Sequence, residues 1–107
     1  MSQATAQVTL DLLILKTLAR GPNHGFGITV HIQSASDGLL RIEEGSLYPA
    51  LHRLEREGLL TSRWKVSENG RRARYYTLKP AGRKRLEEHH SQWLSLSAGV
   101  ARFLEVT

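Results

Sequence analysis

Apolar residues at helical spacing predict two helices in the first third of the chain. The first follows Thr9, which can cap a helix, and ends at residues 21–22, because glycine tolerates a left-handed terminal position and proline cannot continue the hydrogen-bond ladder. The second follows Asn23 as its cap and runs to about Ser34. Two early glycines lower the helix propensity of this second helix, and close approach of a neighbouring helix would offset that cost. The predicted inward-facing residues are Leu10, Leu13, Ile14 and Leu18, then Phe26, Val30 and Ile32.

A third helix is predicted from about Ser46, as its N-cap, to Glu57, and Gly58 closes it. Pro49 then falls in the first turn, where its missing N–H does no harm. Residues 39–42, just before this helix, are interpreted as a short extended segment. The buried stripe of the third helix consists of Leu47, Leu51 and Leu54.

Residues 59–66 and 72–78 are rich in residues that favour extended structure and predict two strands. Residues 67–70 between them end in Asn-Gly, a strong hairpin signal. Pro80 opens a last helix that runs to about Leu104. The order of helix, helix, helix, hairpin and long helix predicts a mostly helical α+β fold, a winged helix-turn-helix with a long C-terminal helix.

The predicted organisation has three parts: a flexible N-terminus at 1–8, a winged-helix domain at 9–79 and a C-terminal dimerisation helix at 80–107. The length of 107 residues allows one modest core, which association with a second chain would extend. The chain has no cysteine, which excludes disulfides and zinc fingers. The longest apolar block, residues 12–15, is too short to cross a bilayer, so we expect a cytoplasmic protein, associated with the nucleoid when bound to DNA.

The net charge of +5 is unevenly distributed along the chain. Between Arg63 and Arg85 there are nine Lys or Arg residues and a single acid, Glu68, whereas the remaining residues are slightly acidic. A segregated positive charge is typical of a surface that faces phosphates.

The outer faces of the third helix carry side chains suited to DNA. Ser46 and the free N–H groups of the first turn suit a phosphate, and Tyr48 can offer its hydroxyl to phosphate or its ring to a thymine methyl. His52 and Arg53 have the reach and the donors for base edges. The same pattern also fits an ordinary amphipathic helix with a solvated basic face, so the helix alone leaves both interpretations open. The predicted DNA-contacting residues of this helix are Ser46, Tyr48, Pro49, His52 and Arg53.

Three arginines, Arg71, Arg72 and Arg74, lie at the hairpin tip and along its second strand. Strand alternation places Arg72 and Arg74 on one face, and Ala73 and Tyr75 on the other. At least one of the two adjacent tyrosines is expected in the core. A basic cluster is usually only solvated, but on a wing that follows a recognition-type helix it favours a DNA contact.

The last helix has a heptad pattern of apolar residues, with a and d positions at Leu86, His89, Trp93, Leu96, Val100 and Phe103. This stripe predicts a homodimer interface, although it could also pack on the first helix of its own chain. Trp93 lies in the middle of the stripe, where it is either a packing anchor or, paired across a dimer axis, a platform for a flat effector.

Catalytic and metal-binding signals are weak. Glu87 and His90 have the i, i+3 spacing that metal ligands can have, but no second such pair exists. Gly-rich phosphate loops, HExxH and nucleophile elbows are missing from the sequence. We therefore predict no enzymatic activity, no metal and no cofactor.

The segments 10–28, 42–60 and 68–86, above all GSLYPALHRLE followed by RRARYY, resemble the PadR family of bacterial transcriptional regulators. The short tail with a single helix looks like the compact branch of that family. The resemblance implies a homodimer, built from the last helix and from Leu10 and Leu13 of the first. It also implies repression of promoters and, often, release by a small aromatic or lipophilic compound.

By position, Ser46, Tyr48 and Pro49 match the family's helix signature, and the three wing arginines match its wing. This chain departs from the family at Lys79, where a threonine is usual and would cap the last helix better. It also departs at residues 27–29, where a charged or Ala-rich turn is common.

These observations predict a sequence-specific, homodimeric DNA-binding regulator that represses transcription from a double-stranded operator. A small aromatic or lipophilic effector bound near Trp93 would release it. One alternative is the same DNA binder without an effector, with Trp93 as a packing residue. Another is a winged helix that serves as a protein-interaction module without sequence-specific DNA binding.

Overall fold

Four helices and a small antiparallel sheet make up residues 3–106, which the structure, a computed structural model, describes. The elements in chain order are α1 (Gln3–Leu18), β1 (Asn23–His24), α2 (Gly25–Ala35), α3 (Glu44–Arg56), β2 (Leu60–Val66), β3 (Arg72–Leu78) and α4 (Pro80–Glu105). The strand order is β1-β3-β2. The predicted winged helix-turn-helix with a long C-terminal helix is confirmed.

The first helix begins at Gln3, well before the predicted cap at Thr9. The residues in between include alanine and glutamine, which are good helix formers, so a polar composition alone did not justify ending the helix at Thr9. Residues 1 and 2 of the predicted flexible N-terminus lie outside the described part of the chain.

The start of α2 differs from the prediction. Asn23 lies in β1, paired with Tyr76, and His24 is the cap, its Nδ1 accepting a hydrogen bond from the Gly27 N–H at 3.1 Å. Ile32 is buried as predicted, but its partner one turn earlier is Ile28. The prediction that Phe26 and Val30 face inward is wrong, because both lie two residues from Ile28 and so point to the other side of the helix. The exposed fractions of Phe26 and Val30 are 67% and 49%.

Helix α3 begins at Glu44, with Glu43 as the N-cap residue. Two predictions are therefore wrong: Ser46 is the third helical residue and not the cap, and Pro49 is the sixth and lies beyond the first turn. Because proline has no N–H, the Gly45 carbonyl loses its usual i+4 donor. Residues 39–42 are not a strand. Gly58 ends the helix as predicted, at a φ of 79° that favours glycine.

The core lies between the first three helices and the base of the sheet. Tyr76 on β3 is 1% exposed and confirms that one of the adjacent tyrosines is a core residue. Helical members of the core are Ile14, Leu15, Leu18, Ile28, Ile32, Leu47, Ala50, Leu51 and Leu54; Leu59 and Leu60 complete it at the start of β2.

A close backbone contact at Gly82 joins α4 to this core. A Cβ at Gly82 would overlap the Leu59 carbonyl oxygen and Cδ1 of Leu78, so only glycine lets the first turns of α4 pack here. The Lys79 N–H donates to the same Leu59 carbonyl at 3.0 Å. Lys79 itself provides no side-chain cap within residues 3–106, in line with the weaker cap predicted there. None of the helices in this range has both the length and the apolar character that crossing a bilayer requires.

Candidate functional site

One face of α3 is a stripe of exposed residues, which we call the α3 stripe: Gly45, Tyr48, Pro49, His52 and Arg56. Each of these positions lies three or four residues from at least one other, so they lie along one side of the helix. The opposite side is anchored by leucines that are fully buried. The helix is therefore held by its apolar side and presents a phenol, a proline ring, an imidazole and a guanidinium outward.

Tyr48 is fixed by its contact with α2. A Cβ placed on Gly25 would lie 2.6 Å from the Tyr48 hydroxyl oxygen and 2.8 Å from its ring carbons. The expectation of a close helix approach at the early glycines is thus confirmed for Gly25, whose missing side chain leaves room for the Tyr48 ring. Tyr48 remains 39% exposed, so its orientation is restricted while its edge stays accessible.

Arg53 points away from the α3 stripe and toward α1. Its Nη2 lies 2.5 Å from Asp11 Oδ1 and its Nη1 lies 3.0 Å from Glu57 Oε2. With the Gln7 amide oriented so that its oxygen faces Arg53, Nε also donates to it at 2.7 Å. All three nitrogens are thus used within the chain, and the predicted role of Arg53 at base edges does not fit this geometry. The sequence could not show this because Asp11 is 42 residues away.

Burial alone would lower the pKa of Arg53, but the hydrogen bonds and charges of Asp11 and Glu57 outweigh it and raise the pKa. The guanidinium therefore stays charged.

Two of the three wing arginines are free of ion pairs within the described range. The side chains of Arg71 and Arg72 form no ion pair with any residue in the described range. Arg74 instead donates from Nε to Ser62 Oγ at 2.8 Å, and its Nη2 lies 3.6 Å from Glu55 Oε2 on α3. Arg74 thus joins the wing to α3, while its side chain remains 41% exposed, and its contact with DNA stays a prediction.

Trp64 is a wing residue that sequence reasoning did not assign to the site. It pairs with Arg74 across the sheet and is 55% exposed. The Arg72 guanidinium carbon lies 5.3 Å from the Trp64 ring centroid and that of Arg74 lies 6.0 Å away. An exposed indole beside two arginines restricts where their charges can point. The predicted grouping of Arg72 and Arg74 on one strand face is confirmed.

The other face of the wing is also cationic. Lys65 Nζ lies 4.6 Å above the Tyr75 ring, and His24 of β1 meets the same ring edge-on at 5.1 Å. Arg63, directly opposite Tyr75 in the sheet, is exposed on this face. The sequence showed these charges only as part of a basic segment, because β1 could not be foreseen.

A groove of about 660 Å³ lies between α1 and the start of α3. It brings Arg41, which the sequence analysis did not single out, together with Ser46, Pro49 and Arg56. Its other lining residues are Gln7, Leu10, Ile42, Glu43, Ala50 and Arg53. The groove therefore adds Arg41 and Arg56 to the cationic side chains of the candidate interface.

The heptad stripe of α4 is divided between the chain's own core and solvent. Leu86 packs against the core and His89 is 9% exposed, so the first part of the stripe packs within its own chain. The remainder is exposed: Trp93 at 45%, Leu96 at 47%, Val100 at 49% and Phe103 at 77%.

On α1, the predicted interface residues Leu10 and Leu13 are partly buried against the core of their own chain. Val8 and Leu12 instead face α4, and they line a cavity of about 330 Å³ together with Thr9, His89, Gln92, Trp93 and Leu96. The role of Leu10 and Leu13 at a dimer interface stays a prediction, and α1 turns a different side toward α4 of its own chain.

Three short helices, a basic two-stranded wing and an exposed helix face define a winged-helix protein of the kind that regulates transcription. The sequence model described as the transcriptional regulator PadR-like family matches residues 14–88. Because this is well over half of the chain, the chain belongs to the PadR-like family of transcriptional regulators. Membership implies regulation through DNA binding and places the chain among regulators, not enzymes.

Known proteins agree in sequence and fold. The transcriptional regulator Rv3488 of Mycobacterium tuberculosis is 44% identical over 82 residues, which cover 77% of this chain and 73% of that protein. A transcriptional regulator from Clostridium thermocellum superposes with a TM-score of 0.83 at 29% identity, over 96% of this chain and 97% of its own. A PadR family regulator from Eggerthella lenta gives a TM-score of 0.75 at 35% identity, over 92% and 84%.

Proposed function

We propose that this chain is a homodimeric, sequence-specific repressor that reads the major groove with the α3 stripe and holds the DNA backbone with Arg71 and Arg72. The observation that carries this proposal is the separation of roles on α3. Leu47, Leu51 and Leu54 are fully buried, while Tyr48 and His52 are exposed on the other side. Imidazole and phenol groups on a rigid helix suit base edges and methyl groups, and the wing guanidinium groups suit phosphates.

The test begins with selection of the preferred site from a random duplex pool. We expect a two-fold symmetric site whose half-site centres lie roughly 34–36 Å apart, or a multiple of that distance. Binding is then titrated against salt with random duplex as competitor. If the dimer neutralises about 6–10 phosphates, affinity falls by roughly three to five orders of magnitude between 50 and 200 mM salt. A flat salt response, or equal competition by random duplex, would favour a protein-interaction module.

Dimerisation through α4 follows from its exposed apolar residues. Trp93, Leu96, Val100 and Phe103 form a stripe that residues 3–106 leave between 45% and 77% exposed. A second copy provides the matching apolar face, because a two-fold interface uses the same surface on both partners. Sedimentation equilibrium at several concentrations tests this, and a mass of one chain throughout would exclude it.

An effector site between α1 and α4 is a second candidate, favoured by His89. The Nδ1 atom of this buried imidazole has no hydrogen-bond partner among the described residues. The adjoining cavity of about 330 Å³ lies within the range of small-molecule sites, and its lining includes both Trp93 and His89. A flat aromatic molecule that carries one hydroxyl group fits both features.

Binding of 2-naphthol and naphthalene would test this site by quenching of Trp93 fluorescence, measured in a Trp64→Phe background. We expect the hydroxylated compound to bind more tightly, and His89→Leu to remove the difference between the two. Equal binding of both compounds by the wild-type site would exclude a polar role for His89.

A further inference from the structure

A chain of ion pairs connects three helices of the fold. Asp11 lies on α1, Arg53 lies on α3, and Arg85 lies on α4; Glu57 is the cap residue that directly follows α3. Arg53 bonds to Asp11 at 2.5 Å and to Glu57 at 3.0 Å, and Arg85 Nη1 donates to Glu57 Oε1 at 3.2 Å. We call these residues the Asp11–Arg85 chain.

The inner end of this chain is deeply buried. The Asp11 side chain is 5% exposed, whereas those of Glu57 and Arg85 are 37% and 36% exposed. A buried carboxylate is costly unless a cation is paired with it, so Asp11 strongly favours the observed position of Arg53. Exposed pairs contribute less, so the Asp11–Arg53 contact dominates the linkage.

The helices joined in this way have different proposed tasks. Helix α3 carries the reading stripe, while α1 and α4 carry the proposed dimer interface. A dimer reads two half-sites at once only if its two reading helices keep a set distance and angle. The orientation of α3 relative to α1 and α4 determines both.

We infer that Arg53, together with Asp11, is a positioning residue for DNA recognition: it fixes α3 against the dimerisation helices and so sets the half-site spacing that the dimer accepts. This inference rests on the proposed function. It assigns Arg53 no contact with DNA, since its nitrogens are used within the chain. The linkage preorganises the reading helices before they meet the operator.

A direct reader and a positioning residue have different signatures. Loss of a phosphate or base contact weakens every complex that contains the half-site, and loss of a phosphate contact lowers the salt slope by about one. Loss of a positioning residue leaves the half-site complex and the salt slope unchanged. It lowers the preference for the full operator and widens the range of tolerated spacings.

The experiment compares Asp11→Asn, Arg53→Gln and the double variant on the selected operator, on a single half-site and on operators lengthened or shortened by one base pair. Asp11 is buried and cannot contact DNA, so Asp11→Asn isolates the linkage. We expect both single variants to bind the full operator about tenfold more weakly, a size typical of coupling between sites. Half-site affinity should change less than twofold, and the double variant should lose no more than Arg53→Gln.

Arg56→Gln is the matched control, because Arg56 is an exposed arginine on the same helix. It should weaken the full and half-site complexes alike and lower the salt slope. Thermal unfolding and mass confirm that each variant is folded and dimeric. If Asp11→Asn does not fold, Arg85→Gln breaks the exposed end of the linkage and should give the same change in spacing preference to a smaller degree.

The inference is overturned if Arg53→Gln weakens the half-site as much as the operator while Asp11→Asn does not, since Arg53 would then read DNA directly. It is also overturned if no variant alters spacing preference, because the ion pairs would then serve stability alone. Failure of the wild-type protein to select any DNA site would instead remove the proposed function, and this inference with it.

Discussion

Helices α3 and α4 are both amphipathic, yet they use their apolar faces differently. Leu47, Leu51 and Leu54 of α3 are fully buried within one chain. On α4, by contrast, Leu96 is 47% exposed and Phe103 is 77% exposed. The core covers the whole apolar side of α3, so the polar side of this helix is available for recognition. Helix α4, in contrast, extends past the core and keeps an exposed apolar face that another chain can cover. Whether a hydrophobic stripe is buried within the chain or left exposed therefore depends on whether other elements of the fold pack against it.

The largest effect is expected where the comparison is sharpest, at a buried leucine of α3. Leu51→Ala should lower the free energy of unfolding by about 2–5 kcal/mol, because it leaves a cavity in a packed core. Urea unfolding measured by circular dichroism at fixed protein concentration gives this value. Leu104→Ala, at a site 64% exposed on α4, is the control and should change stability far less. Equal losses of unfolding free energy at both positions would contradict the contrast between a buried face on α3 and an exposed face on α4.

A charge on the exposed stripe of α4 should have the next largest effect. Val100→Asp would bury a carboxylate at the proposed interface and cost about 2–5 kcal/mol of association free energy, while the separated chain keeps its fold. Sedimentation equilibrium measures the dissociation constant. Ser95→Asp adds the same charge at an exposed site off the heptad stripe and should leave the dimer intact. If the two variants dissociate equally, the stripe is not the interface.

The joint between α4 and the core gives a smaller effect. Gly82→Ala should destabilise the fold by about 1–3 kcal/mol, because the added Cβ meets the Leu59 backbone, which cannot easily shift. Gly99→Ala, with open space around it, should instead stabilise α4 by roughly 0.5–1 kcal/mol. Melting temperatures of both variants test this pair. If Gly82→Ala left the melting temperature unchanged, α4 would be able to pack against the core at a different angle.

The smallest expected effect is the loss of stability at acidic pH that arises from Glu57. Burial would raise the pKa of Glu57, but its hydrogen bonds to Arg53 and Arg85 outweigh this and lower the pKa below its ordinary value of 4.5. The stability that this shift contributes is present above pH 4.5 and is lost as the pH falls toward the folded-state pKa, because the unfolded chain takes up the proton first. Melting temperatures at pH 7 and pH 4 should differ less for Glu57→Gln than for the wild type. An unchanged difference would contradict the linkage between these groups.

Local signals predicted the parts of this fold that local interactions determine. The strand at 72–78, the turn at Gly70 and the buried leucines of α3 follow from residue pattern and turn chemistry alone. Strand β1 could not be predicted, since two residues become a strand only by pairing with Tyr75 and Tyr76 far along the chain.

The candidate site was predictable to a similar extent. Exposure of Tyr48 and His52 follows from the leucine pattern. The internal contacts of Arg53 and Arg74 do not follow from the sequence pattern, because a side chain long enough to reach DNA is also long enough to reach a distant carboxylate. Asp11 and Glu55 are those carboxylates, and only the folded chain places them within reach.

The measurement that tests the account most directly is the affinity of the wild type and of Val100→Asp for the selected operator and for one half-site. We predict that the wild type binds the operator far more tightly than the half-site, and that Val100→Asp binds both alike with the half-site affinity of the wild type. If Val100→Asp still prefers the operator, or if the wild type does not, then α4 does not bring two copies of α3 to the DNA.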